Sequence, residues 1–333
     1  MSNPLTFSTL ACGEWSRETV IERAAAFGYD GVEWRGGPQG HVSPALPAAE
    51  RQALRRRVAD AGLISLAVTA YSRFVSPEPA ERAAQLDHLR QHLDLAADLG
   101  AKFVRTFLGQ LPPGRTAAQA APAIADSLRA AAEYAAPRGV IVAAESHDDW
   151  VRSAALAEIL AAAPHPALRA LWDFGNAFAA GEDPAEGLRV IGPYLGYVHM
   201  KDGVLTGGHW RLTQLSQGQV PLKSVIHGLR AMGYTGGLCV EWERAWHPEL
   251  EPADTALPAA LAVLRQLLAE KSPALLPPSL ILLSKITAAG PRSDARGVEG
   301  GRGDDASPEA QRSGEGVRPS HPDSSDPRGV DHT

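Results

Sequence analysis

The chain has 333 residues, 44% of them hydrophobic and 21% charged, which are globular proportions rather than those of a disordered or membrane-embedded protein. Its net charge of −6 argues against a nucleic-acid partner, which needs a basic face. Two cysteines, Cys12 and Cys239, cannot staple a small secreted domain. The start MSNPLTFSTLACGEW lacks the charge and apolar core of a signal peptide, and no apolar run nears the ~20 residues of a membrane helix. A cytoplasmic protein with no membrane contact is expected, its two cysteines serving as small buried fillers on neighbouring strands.

Along the chain one plan recurs. AFGYDGVEWR (26–35), DAGLISLAVTAY (60–71), DLGAKFVRTFLG (98–109), PRGVIVAAES (137–146) and AMGYTGGLCVEWE (231–243) each join an Ala- or Leu-rich segment, a glycine and a short apolar run. Glycine just past a helix tolerates the left-handed conformation of a C-terminal cap, and the apolar run after it reads as a buried strand. Within AERAAQLDHLRQHLDLAADLG, Leu86, Leu89, Leu93 and Ala96 fall at helical spacing, with Ser76 as the expected N-cap and Pro77 in the first turn. Asp183 and Pro184 repeat that start signal. Strands are predicted at 6–11, 31–35, 64–70, 103–108, 140–145, 168–173, 195–200 and 237–242, each with room for a helix behind it. This alternation implies a parallel sheet, and eight units in about 270 residues predict a (β/α)8 TIM barrel over residues 1–271. A doubly wound sheet is disfavoured, because no G-x-G-x-x-G follows the first strand. From Ser272 to Thr333 the sequence is rich in Gly, Pro, Ser, Asp and Arg, and is read as a disordered tail that buries too little surface to order itself.

In such a barrel alternate strand residues face inward, and chemistry lies at the C-terminal strand ends. Four consecutive strands end in a polar residue: Glu145 in VAAESH, Asp173 in LWDFGN, His199 in YVHMKD and Glu241 in CVEWE. One strand-end carboxylate is an ordinary solvated group. Four such groups on adjacent strands crowd like charges at one rim, and a divalent cation relieves that crowding. Three carboxylates and an imidazole suit Mn²⁺ or Mg²⁺, with Zn²⁺ or Co²⁺ also compatible.

GYDGVEWR, AAESHDD, LWDFGN, YVHMKD and QGQVPLKSVIHGLRAMGYTGGLCVEWE resemble the sugar-phosphate isomerase/epimerase superfamily, the xylose-isomerase-like TIM barrels, over about residues 5–270. The resemblance implies one divalent metal held by Glu145, Asp173, His199 and Glu241, a carbohydrate substrate, and proton transfer by Glu145 and Glu241 on opposite substrate faces. The sequence departs from ketose 3-epimerases at Asn176, Leu205 and Val151, which replace a His, an Arg and a Glu that clasp a free ketose. VHMKD, with Lys201 and Asp202, is closer to inosose-dehydratase-like members. Apurinic endonucleases of the same superfamily need further histidines that these strand ends lack.

Around the four ligands, His147 is read as a general base, a contact for a substrate hydroxyl, or a solvated loop histidine. Lys201 offers positive charge beside an enolate or an ion pair with Asp202 or Glu243, and Arg105 is a substrate clamp or a buried counter-ion. Glu33 and Arg35 close the far wall. Trp246 caps the pocket or packs on the rim, Trp242 points out toward the helices, and Trp15 lines an apolar wall. The expected activity is metal-dependent isomerisation or epimerisation of a keto sugar or related polyol. Dehydration, lysis of a keto-glycoside and non-catalytic sugar binding are the alternatives, and a homo-oligomer stays open.

Overall fold

A computed structural model describes residues 3–270. The tail predicted for 272–333 lies outside the described residues. Eight parallel strands close a barrel: β1 (Leu5–Ser8), β2 (Gly31–Trp34), β3 (Ile64–Thr69), β4 (Phe103–Thr106), β5 (Ile141–Glu145), β6 (Leu168–Asp173), β7 (Leu195–Met200) and β10 (Leu238–Val240). The order around the barrel is β1-β10-β7-β6-β5-β4-β3-β2, so chain order and spatial order agree throughout. Helices α1 (Arg17–Phe27), α2 (Ala48–Asp60), α3 (Pro79–Leu99), α4 (Ala117–Ala135) and α5 (Ser153–Ala162) follow the first five strands. Helices α6 (Phe174–Ala179) and α7 (Pro184–Ile191) follow β6, α8 (Leu222–Ala231) precedes β10, and α9 (Ala253–Ala269) ends the described chain.

The glycine punctuation works as its position suggests. Gly28, Gly62, Gly100, Gly139 and Gly233 all have φ between 69° and 89°, the left-handed region that ends a helix and turns the chain into the next strand. Gly31 has a different task. A side chain there would meet the Ile64 carbonyl oxygen at 2.1 Å, so only glycine lets β2 and β3 approach at that point.

Three expectations are corrected. Helix α3 starts at Pro79, not beside Ser76. The Ser76 hydroxyl accepts from the Glu78 backbone N–H and donates to Glu81, forming a turn ahead of the helix. The first strand stops at Ser8, because Thr9–Cys12 winds into a 3-10 turn beneath the Ser8 hydroxyl, which places Cys12 on that turn rather than on a strand. An antiparallel hairpin, β8 (Asp202–Thr206) and β9 (His209–Thr213), interrupts the seventh connection. Gly207 and Gly208, both at positive φ, form its two-residue turn, a signal present in LTGGHW. The Asp183 cap of α7 forms as expected, with its carboxylate accepting from Ala185 and Glu186.

Most of the core lies between barrel and helices, where α-helical Leu, Ile and Ala meet the outward strand residues. A second cluster fills the barrel interior: Leu66, Ala67, Phe103, Ala143, Leu171, Tyr197 and Cys239. Both cysteines are buried and unbridged. No described helix is long and apolar enough to cross a membrane.

Candidate metal centre

Strand alternation builds the site. Ala143, Leu171, Tyr197 and Cys239 belong to the interior layer, and two residues further along the same strands come Glu145, Asp173, His199 and Glu241. Each therefore faces inward one layer nearer the mouth. One donor atom from each of the four lies within 4.8 Å of the others, and all four residues are buried. His199 Nδ1 stands 3.3 Å from Glu241 Oε2, 3.7 Å from Glu145 Oε1 and 3.8 Å from Asp173 Oδ2. Three of these buried atoms, His199 Nδ1, Asp173 Oδ2 and Glu241 Oε2, make no hydrogen bond, contact with the Lys201 ammonium aside. Converging lone pairs left open at a buried point fit a divalent cation, and the hard oxygen donors with one imidazole fit the ions expected from the sequence.

The surrounding charges favour the same reading. Among the described residues, the permanent cations paired with Glu145, Asp173, Glu241 and Glu243 are Arg105 and Lys201, and Glu33 lies against His199. Burial opposes a charge on His199, yet Glu241 and Glu33 outweigh it and hold its pKa well above the ordinary value. Burial likewise raises Glu145, although Arg105 and His199 pull the other way. Asp173 and Glu241 are lowered in spite of burial, the first by Lys201 and the second by His199 and Lys201.

The expected site residues come together, some with the partners the sequence indicated, as in Lys201 with Glu243, and some with others. Arg105 is a buried counter-ion: it donates to Glu145 Oε2 at 2.9 Å, and its guanidinium sits 4.9 Å from the Tyr71 ring centre and 4.3 Å from that of Phe107. Lys201 Nζ reaches Asp173 at 2.8 Å, Glu241 at 2.6 Å and Glu243 at 2.5 Å, and donates to Asn176 Oδ1 at 3.2 Å. Its pairing with Asp202 does not form, because the Asp202 carboxylate accepts backbone N–H groups of Gly203, Gly218 and Val220. Glu33 is fully buried on the far wall. Its Oε2 accepts from the Tyr197 hydroxyl at 2.5 Å and lies 3.2 Å from His199 Nε2. His147 stacks on Phe107 with ring centres 4.4 Å apart, and its Nδ1 is 2.9 Å from Asp148 Oδ1. Burial would lower the His147 pKa, but Asp148 and Glu145 raise it.

Trp246 is exposed and its ring lies 4.4 Å from the Arg35 guanidinium. Trp242 points outward and donates to the Glu251 carbonyl, as expected. Trp15 instead pairs with Phe27 at the end of α1. Tyr71, Phe107 and Tyr197 escape a reading of the sequence. The period of two alone marks Phe107, two residues past Arg105, and Tyr197, two before His199.

A family model described as a xylose isomerase-like TIM barrel matches residues 21–267. The chain belongs to that family. Among solved structures, the xylose isomerase-like barrel resembles 3-keto-D-glucoside 4-epimerase YcjR from E. coli, with TM-score 0.64, 20% identity, and coverage of 80% of this chain and 100% of that one. It resembles D-psicose 3-epimerase with D-tagatose from Clostridium cellulolyticum H10, with TM-score 0.67, 17% identity, and coverage of 80% and 99%. The probable 3-DHS dehydratase AsbF from Bacillus anthracis is similar too, with TM-score 0.64, 18% identity, and coverage of 80% and 99%. At these identities the likeness is one of fold. A curated relative, the uncharacterized protein YihM of Escherichia coli K12, is 29% identical over 99 residues, which span 28% of this chain and 30% of that protein.

Proposed function

We propose that the barrel is a divalent-metal-dependent isomerase or epimerase that moves a proton next to a carbonyl of a keto sugar or related polyol. The observation that carries this reading is the buried convergence of Glu145, Asp173, His199 and Glu241, one donor atom of each lying within 4.8 Å of the others. These four would hold the ion. When bound, it supplies Lewis acidity to a substrate carbonyl and so acidifies the neighbouring C–H.

The protein's own groups then divide the work. Glu145 and Glu241 stand at the two ends of the arc β5-β6-β7-β10, so a substrate lying between them offers one face to each. That placement suits removal of a proton by one carboxylate and its return by the other. Arg105 fixes Glu145 through Oε2. Lys201 adds positive charge where an enolate would form. Glu33, bonded to the far nitrogen of His199, fixes the ring so that Nδ1 faces the donors, in the manner of carboxylates behind metal-bound imidazoles. In this reading Glu33 and Arg105 act behind the ligands, Arg105 as the buried counter-ion that was one of its two expected roles and Glu33 on the far wall. His147 is the rival base, beside Glu145 and free of the ligand set.

Dehydration or lysis of a keto-glycoside on the same centre is the second reading. Asn176, Leu205 and Val151 stand where ketose-clasping groups would be needed, and the Asn176 side-chain oxygen is taken by Lys201. A non-catalytic sugar-binding module has no use for four buried ligands. The protein, loaded separately with Mn²⁺, Mg²⁺, Zn²⁺ and Co²⁺, should exchange a substrate C–H with solvent deuterium for at least one member of a panel of ketoses, keto-inositols and 3-keto-glycosides. Loaded protein that binds a panel member and exchanges no C–H would leave sugar binding without catalysis. Protein that takes up none of the metals would remove the reading altogether.

A further inference from the structure

Among the described residues the buried lysines and arginines are Arg35, Arg105 and Lys201, and all three sit at the C-terminal ends of barrel strands. Two are committed. Arg105 is paired with Glu145, and Lys201 with Asp173, Glu241 and Glu243. Arg35 is not. It is 8% exposed, no carboxylate lies within ion-pair distance of it, and its buried Nε has no hydrogen-bond partner. Leaving a guanidinium dry and unmatched is costly, and such a cation persists where something else completes it.

Its setting indicates what. Arg35 follows Glu33 by two residues, so it leaves the same face of the chain about 7 Å nearer the mouth. The backbone there is pinned on both sides, the Arg35 N–H donating to the Thr9 hydroxyl and the Gly36 N–H to the Thr69 hydroxyl. Glu33 lies against His199, so Arg35 leaves the same strand end as a residue that contacts the donor cluster. Its guanidinium lies near Gly13 in the loop after β1, and Gly13 in turn lies near Ala245 in the loop after β10. Trp246 from the latter loop covers the guanidinium with its ring, 4.4 Å away. Stacking occupies the face of a guanidinium and leaves the N–H edge for planar, two-point recognition. Two neighbouring basic groups are engaged or held toward neutral. Arg244 is spent on Glu14, and His41 is pushed toward its neutral form, first by burial.

We infer that Arg35 and Trp246 form an anchor for a carboxylate at the end of the substrate remote from the metal, so that the substrate is a sugar acid rather than a neutral sugar. A guanidinium stacked on one face presents a planar N–H edge that matches a carboxylate monoanion, and Arg244 on the neighbouring loop already pairs with Glu14. Trp246 closes over the anchored end. The inference rests on the proposed reaction, since that reading places the substrate carbonyl at the four ligands.

The test uses three probes of one carbon skeleton: D-fructuronate, D-fructose 6-phosphate and D-fructose. Binding to metal-loaded protein is measured by calorimetry and C–H exchange in deuterated water. D-Fructuronate should bind on the order of 10- to 100-fold tighter than D-fructose, the usual range for a charge-assisted two-point contact. Arg35→Met should abolish that preference while the metal stays bound, and Arg35→Lys should keep only part of it. Equal affinity for the three probes in the unaltered protein, absence of binding by all of them included, would overturn the anchor. So would preference for the phosphate alone, or a carboxylate preference that survives in Arg35→Met. Exchange on D-fructose as fast as on D-fructuronate would sink the anchor and leave the proton-transfer reading standing. Carboxylate-dependent binding without exchange of any C–H would do the reverse.

Discussion

Replacing Glu33 by Gln tests whether a group that touches no donor oxygen nonetheless sets the metal centre. Glu33 is wholly buried, and a single oxygen serves both the Tyr197 hydroxyl at 2.5 Å and His199 Nε2 at 3.2 Å. Glutamine keeps the shape and an acceptor but removes the charge. A hydrogen bond to an ionised acceptor is worth about 1.5–3 kcal/mol against about 1 kcal/mol for a neutral one, and partners behind a metal-bound imidazole typically change affinity 10- to 100-fold. The metal dissociation constant should therefore rise about tenfold or more, which is about 1.4 kcal/mol, with tetrameric, dimeric or monomeric state left as it was. Tyr197→Phe removes the second bond to the same oxygen without touching His199, and should weaken binding less. The assay is competition against a chromophoric chelator, run beside thermal unfolding of the metal-free variants. If Glu33→Gln unfolds more easily but holds metal within twofold of the parent, Glu33 only props up the barrel interior and the orientation argument fails.

Glu145→Gln and Glu241→Gln should each weaken metal binding and abolish C–H exchange; either variant exchanging at the parental rate with full occupancy would take the proton from the wrong group. His147→Ala at full occupancy should keep exchange near the parental rate for epimerisation, whereas loss of exchange with metal still bound makes His147 the base and favours dehydration. His92 is buried and desolvation pushes its pKa down to about 4, so the unfolded chain takes up this proton first as pH falls. Stability should thus drop by about 3 kcal/mol between pH 6.5 and pH 4 through this residue, and urea unfolding of His92→Gln should show a visibly flatter acid limb; identical limbs would refute the assignment. A chain ending at Lys271 retains all of α9 and should match the full chain in melting temperature and metal content, a result that loss of solubility would contradict.

Much of the barrel is legible in the sequence because its signals are local. The five glycines after helices report a backbone requirement that no other residue meets cheaply, and each stands at positive φ. The four candidate donors are legible because a strand end and a period of two suffice to place them on one rim. Other features depend on which strands become neighbours across the closed barrel. Glu33 meets Tyr197 and His199 over more than 160 positions of sequence, and nothing near GVEW announces a histidine. The side chains flanking Arg105 come from different strand ends, so its fate as a counter-ion emerges only on closure. The hairpin after β7 is different. Its Gly-Gly turn is a strong local signal, masked by the expectation that a helix follows each strand directly.

Lys201 bears on how the protein matures. Its ammonium already lies against Asp173, Glu241 and Glu243, and Arg105 against Glu145, so much of the mutual repulsion at the mouth is quenched by the chain itself. With its own cations against these carboxylates, the barrel does not need an ion to offset their repulsion in order to close, and on the proposed reading an ion would load onto a finished scaffold. On that reading an ion at the four donors would sit beside Lys201, whose ammonium is 2.8 Å from Asp173 and 2.6 Å from Glu241, and the lysine would have to shift to make room.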